Sequence, residues 1–222
     1  MRDDGRSRER SRPYADRAEA GAELARQLSA YGGRADVVVL GLPRGGVPVA
    51  AAIATALPAP LDVLLVRKLG LPGHSELAMG AIAGVGDDIV VVRNEDVLSH
   101  ARIPADAFER VRDSEAAELR RRETAYRGDR RGAELAGRTV IVVDDGLATG
   151  STMRAAVRAL RQADPAGVVV AVPIGAPRTC AELSAEVDEV VCPWQPQRFW
   201  AVGQGYRDFR QTSDEEVTRL LH

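Results

Sequence analysis

The sequence has almost no lysine: of its 30 basic side chains one is Lys68 and the rest are arginine. It is also poor in aromatic residues (4%), in histidine (three) and in cysteine (two). These shortages exclude whole classes. Cys180 and Cys192 have no histidine near them in the chain and match no zinc-ligand spacing. Two cysteines are too few for a disulfide-built scaffold, so they read as reduced thiols, with pairing of the two as the alternative. No run approaches the roughly 18 apolar residues of a membrane span. The opening MRDDGRSRERSRP is polar and arginine-rich without an apolar core, so no secretory signal or anchor is expected and the expected location is the cytoplasm. A net charge of −2 argues against nucleic-acid binding by the chain as a whole, a local basic patch aside. No G-x-x-x-x-G-K-[ST] loop occurs, and GLPRGG lacks the glycine spacing of a dinucleotide fingerprint.

What is present is an alternation. Residues 1–13 offer little to bury and are expected to be a disordered tail; residues 14–222 suit one generous domain. From Asp16 to Tyr31, residues Gly21, Leu24, Leu28 and Tyr31 recur at helical spacing, and Gly32-Gly33 ends the pattern. DVVVL (36–40) is a short β-branched run followed by GLPRGG and an alanine-rich helix over 47–56. LDVLLV (61–66) is a second run, followed by a Gly/Pro-rich loop to His74 and strand-like pieces at LAMGAIA and DIVVV. Residues 104–136 are charged and helix-prone. TVIVV (139–143), VVVAV (168–172) and DEVVC (188–192) are further strands, with an amphipathic helix after the first and the short helix PRTCAELSA before the last. Apolar runs separated by helices predict a doubly wound, mainly parallel α/β sheet of about five core strands covered on both faces.

Ligands of such sheets bind at the carboxyl ends of the strands. After TVIVV comes Asp144-Asp145-Gly146-Leu147-Ala148-Thr149-Gly150-Ser151-Thr152, then the amphipathic helix. Two adjacent carboxylates are costly there unless a cation or a polar ligand uses them. The glycines and hydroxyls that follow run into a helix N-terminus, whose free amides and dipole favour an anion. Hydroxyls or Mg²⁺ at one end and a phosphate at the other describe a sugar phosphate. The alternative is that Thr149 or Ser151 only caps the helix.

VIVVDDGLATGST is similar to the 5-phosphoribosyl-1-pyrophosphate (PRPP) motif of the type I phosphoribosyltransferases. The resemblance implies their fold, with a mobile loop or hairpin and a C-terminal hood. It implies transfer of 5-phosphoribosyl from PRPP·Mg²⁺ to a nitrogen acceptor with release of pyrophosphate. Asp144 and Asp145 would hold the ribose hydroxyls, directly or through Mg²⁺. Gly146 and Ala148 to Thr152, with the hydroxyls of Thr149, Ser151 and Thr152, would wrap the 5′-phosphate. Pro43-Arg44-Gly45-Gly46 resembles the family's pyrophosphate loop, in which Arg44 and the amides of Gly45 and Gly46 would bind the diphosphate. Arg67 and Lys68 fall where relatives carry a further pyrophosphate-contacting base, Lys68 being preferred because neighbouring strand residues face opposite ways. Relatives specific for hypoxanthine carry an Asp where this chain has Ala148, which leaves Glu76, with His74 nearby, as the candidate general acid/base. PWQPQRFWAVGQGYRDF concentrates aromatics, with Phe199 or Trp200 as the expected ring to stack an acceptor and a packed cap as the alternative. RKLGLPG, ELAMGAIA and AVGQGYRDF also resemble a subgroup whose acceptor is unassigned. The expected partners are PRPP and a small-molecule acceptor, with a homodimer as relatives often form. A PRPP- or nucleotide-sensing protein without turnover, or a module that works with a separate chain, stays open beside the enzyme.

Overall fold

The computed structural model describes residues 12–71, 74–101 and 104–222, and for residues 74–76 and 105 it describes only the backbone. The expected N-terminal tail falls almost wholly outside these residues. In chain order the elements are α1 (Arg17–Gln27), β1 (Val37–Gly41), α2 (Gly46–Ala56), β2 (Leu61–Val63), β3 (Val66–Leu71), β4 (His74–Val85), β5 (Asp88–Arg93), α3 (Glu95–Ala101) and α4 (Ala105–Arg127). They continue with β6 (Thr139–Val143), α5 (Ser151–Leu160), β7 (Gly167–Ala171), α6 (Pro177–Leu183), β8 (Glu189–Val191) and α7 (Asp214–Leu221). No helix of the described residues is long and apolar enough to cross a membrane.

The β-branched runs form a five-stranded parallel sheet in the order β2-β1-β6-β7-β8. β1 and β6 are buried along their whole length because helices cover both faces, which is why they read as continuous apolar runs rather than alternating ones. They pair residue for residue from Val37–Thr139 to Gly41–Val143. The chain runs outward from β1 to β2 on one side and from β6 to β7 and β8 on the other. The carboxyl ends of β1 and β6 therefore flank the switch point at which such sheets bind ligands.

One expected strand is two. LDVLLV leaves the main sheet after Val63, and at Val66 the chain begins a second sheet, an antiparallel meander β3-β4-β5. Its alternating sides serve two cores. Val66, Ala83, Val90 and Val92 pack with Met153, Ala156 and Val157 of α5, while Leu69, Ile82 and Val91 pack with Phe108 and Leu119 of α4. The Gly/Pro-rich loop expected to run to His74 is shorter, since β3 continues to Leu71 and β4 starts at His74, with register shifts around Gly70. Helices α3 and α7 are elements that the sequence pattern did not announce. α7 is capped by Ser213, whose hydroxyl accepts from the Glu216 amide, and it buries Val217 and Leu221.

A buried ion pair fixes the point where the chain changes sheet. Asp62 and Arg127 are 3% and 5% exposed. Arg127 Nε donates to Asp62 Oδ1 at 2.8 Å and its Nη2 to the Val63 carbonyl at 2.9 Å, while Asp62 Oδ2 accepts from the Ala133 amide at 2.9 Å. The end of α4 is thereby tied to the last residues of β2. Removing one partner leaves a charge buried without compensation, at a cost of about 3–5 kcal/mol. Arg127→Met is expected to lower unfolding stability by that amount in urea titration; a loss below about 1 kcal/mol contradicts this role.

Candidate functional site

Two loops meet at the ends of β1 and β6. After β1, the Leu42 amide donates to the Val143 carbonyl at 2.8 Å, so the PRGG turn starts against the end of β6. The Pro43–Arg44 peptide is cis. Gly45 and Gly46 are glycines because the acidic pair lies directly on them. A Cβ on Gly45 would overlap Asp145 Oδ2, and one on Gly46 would meet the Val143 carbonyl at 2.5 Å and Asp144 Cα at 2.9 Å.

The acidic pair is not left to solvent. Arg17, in the first turn of α1, donates from Nε and Nη2 to Asp145 Oδ2 at 2.9 and 2.8 Å. Its Nη1 donates to the Arg210 carbonyl at 2.7 Å, and its guanidinium lies 4.3 Å from the centre of the Phe209 ring. Tyr206 donates its hydroxyl to the Asp145 carbonyl at 2.6 Å, and the Asp145 amide donates to Asp144 Oδ1 at 2.8 Å. Arg17 reaches this place because Gly21, one turn later on the same face of α1, lets α1 sit on α2: a Cβ there would lie 2.6 Å from Ala52 Cβ. No sequence signal singles out Arg17 among 29 arginines; its partner lies 128 residues away.

Electrostatics follow from this crowding. Burial, then the neighbouring Asp145, push Asp144 up to about 8 against the opposing pull of Arg17. Burial also raises Asp145, and the hydrogen bonds and charge of Arg17 hold it back. The Tyr206 phenol is raised by burial and then by Asp145.

Gly146 to Gly150 form the next loop, and Ser151 and Thr152 open α5. Gly150 has φ 73°, in the left-handed region where glycine is favoured, and it caps α5. The loop is pinned from below: the Leu147 amide donates to the Ile174 carbonyl at 2.9 Å, the Ala176 amide to the Leu147 carbonyl at 2.8 Å, and the Thr179 hydroxyl to the Ala148 carbonyl at 2.7 Å. Thr149, Ser151 and Thr152 are exposed above it, with the Thr149 and Ser151 hydroxyls 3.3 Å apart. With Asp144, Asp145 and Val202 these residues line a cleft of about 230 Å³. Amides at the start of α5, three hydroxyls and an acidic pair in one cleft can hold a phosphate at one end and sugar hydroxyls at the other.

The basic residues expected at the pyrophosphate face three different neighbours. Arg44 lies 3.9 Å from Asp214 of α7, which accepts the Tyr126 hydroxyl at 2.5 Å. Arg67 pairs with Glu115 of α4. Lys68, on the opposite side of β3, is exposed and lines a groove of about 280 Å³ with Ser151, Arg154, Arg158, Arg93 and Asn94. The structure therefore places Lys68 with the N-terminus of α5 and not with Arg44. Among the aromatics, Phe199 packs with Tyr14, Ile174, Trp194 and Tyr206, as the cap alternative has it, whereas Trp200 is 83% exposed. The side chains of Glu76 and His74 lie outside the described residues.

Known proteins are similar to this chain. The phosphoribosyl transferase domain model matches residues 14–206. A Mycobacterium tuberculosis protein that carries phosphoribosyl transferase as a provisional name is 50% identical over 208 residues, 94% of this chain and 46% of its own length. The chain thus spans about half the length of the curated relatives it matches. The crystal structure of TT1426 from Thermus thermophilus is 43% identical, covers 94% of this chain and 97% of that one, and superimposes with a TM-score of 0.81.

The raised carboxyl of Asp144 has a signed consequence. Its folded state favours the proton, so the stability it lends is full below the ordinary carboxylate range and is lost as pH rises through about 8. Asp144→Asn is expected to flatten the melting profile between pH 5 and 9. At pH 8.5 it should melt roughly 2–6 °C above the unsubstituted protein. A variant that melts lower at every pH contradicts the assignment.

Proposed function

The chain belongs to the phosphoribosyl transferase domain family, and on that premise we propose that it transfers 5-phosphoribosyl from PRPP·Mg²⁺ to a nitrogen acceptor, a nucleobase or similar heterocycle, with release of pyrophosphate. The observation that carries this reading is the Asp144–Asp145 pair, packed on Gly45 and Gly46 on one side and continuous with the phosphate loop on the other.

Each group has a task in that reaction. The amides and hydroxyls of Ala148 to Thr152 hold the 5′-phosphate. Asp144 and Asp145 accept from the ribose 2′- and 3′-hydroxyls, with Arg17 fixing the Asp145 carboxylate so that it does not turn away. The amides of Gly45 and Gly46 and the side chain of Arg44 take the diphosphate once Arg44 exchanges Asp214 for it. Lys68 approaches the phosphates from the α5 side, and Arg67, spent on Glu115, steadies β3. Trp200 is the ring available to stack an acceptor, and Glu76 is the carboxylate assigned to proton transfer. The chain supplies position and charge, with no covalent nucleophile.

The donor set fits magnesium carried by the substrate. Among the described residues there is no cluster of three or more His, Cys, Asp or Glu side chains for a metal. Two carboxylates, one of them engaged by Arg17, match an ion held partly by substrate oxygens. When bound, magnesium neutralises the diphosphate and makes it a better leaving group.

A second reading, PRPP binding without turnover, draws on the dispersal of Arg44, Arg67 and Lys68. A pyrophosphate-release screen with PRPP, Mg²⁺ and a panel of purines, pyrimidines and small amines separates the two. Release with at least one heterocycle is expected, and Lys68→Arg should keep PRPP affinity while lowering turnover about tenfold, since a planar guanidinium cannot follow the leaving group as an ammonium does. Tight PRPP binding with no release for any acceptor selects the binding protein.

A further inference from the structure

The two cysteines lie directly beneath the phosphate loop, and the proposed transfer has no use for them. Cys180 is in α6 and Cys192 follows β8. Their sulfurs meet beside Gly175: a Cβ built on that glycine would lie 2.6 Å from Cys180 Sγ and 3.1 Å from Cys192 Sγ. Cys192 Sγ donates to the Trp194 carbonyl at 3.5 Å. Cys180 is 3% exposed and Cys192 half-buried. Two thiols on separate elements, twelve residues apart in sequence, meet over one glycine, and such proximity is the first requirement of a disulfide.

The residues around the pair are those that hold the loop. Thr179, next to Cys180, donates its hydroxyl to the Ala148 carbonyl and sets its methyl against Gly150, 2.7 Å from where a Cβ would sit. Gly175, between the sulfurs, donates its amide to the Trp194 carbonyl at 3.0 Å and bridges Leu147. Thr179 thus connects Cys180 directly to Ala148 and Gly150.

We propose that Cys180 and Cys192 form a reversible disulfide site, a dithiol oxidised by peroxide whose closure shifts the phosphate loop. In the first step the Cys180 thiolate attacks one peroxide oxygen, the O–O bond breaks, and hydroxide leaves with Cys180 as a sulfenic acid. Cys192 sulfur then attacks Cys180 sulfur and displaces the second hydroxide. The two thiol protons convert both hydroxides to water, so two sulfurs lose one electron each and one peroxide is reduced. Cys180 is assigned as the attacking sulfur because the adjacent Cys192 holds its thiol below the ordinary value against the opposing effect of burial, while Cys192 is raised. A dithiol reductant reverses the bond.

The site itself is independent of the ribosyl-transfer reading; only its consequence for PRPP rests on that reading. The test treats the intact chain with equimolar hydrogen peroxide. Expected are loss of two hydrogens by intact mass, a Cys180–Cys192 cross-linked peptide, and recovery of both thiols with dithiothreitol. Cys180→Ser and Cys192→Ser should each abolish the cross-link. Two persistent thiols, sulfinic acid alone, or only intermolecular cross-links overturn the proposal. Amide exchange over residues 147–152, which needs no ligand, should change about threefold on oxidation of the unsubstituted protein and not of Cys192→Ser. Unchanged exchange overturns the link to the loop. PRPP calorimetry on the reduced protein reports separately on the transfer reading, which can fail while the disulfide stands.

Discussion

Two neighbouring carboxylates at the end of a buried strand are the constraint around which this molecule is arranged. Left alone, Asp144 and Asp145 would repel each other in a place that water reaches poorly. The fold answers with one guanidinium, from Arg17, and with an Asp144 carboxyl that burial and Asp145 push up to about 8. Arg17 can be there only because α1 docks on α2 through Gly21, and its guanidinium is in turn backed by Phe209 and the Arg210 carbonyl. The acidic pair thus recruits the first helix and the C-terminal segment, which are far apart in sequence, to one point. The same crowding explains Gly45 and Gly46, where side chains have no room.

The second sheet solves a different problem. It covers α5 on one side and α4 on the other, and the saturated Asp62–Arg127 pair fixes where the chain departs for it. This departure determines what β3 displays. Arg67 turns to Glu115, and Lys68 turns to the groove along α5 that begins at Ser151. The single lysine therefore borders the start of α5.

Much of this was legible in the residues. β1, β6 and β7 announce themselves as short β-branched runs, and the order of their loops follows from a parallel sheet. The acidic pair and the glycine-hydroxyl run behind it carry their chemistry in the sequence. The split of LDVLLV was not legible, because an apolar run looks the same whether one sheet or two bury it. Arg17 was not legible either, since its role arises from contact with Asp145 across most of the chain. Phe199 and Trp200 are adjacent and similar in type, and only packing separates the ring that fills the cap from the one left exposed.

Binding of PRPP by the acidic pair and phosphate loop is the point on which the proposed chemistry depends. Calorimetry of the unsubstituted protein with PRPP·Mg²⁺, beside the Asp144→Asn/Asp145→Asn double variant, decides it. The prediction is saturable one-to-one binding that weakens by at least about 2 kcal/mol, roughly thirtyfold, in the double variant. Undiminished affinity in that variant contradicts the proposed site.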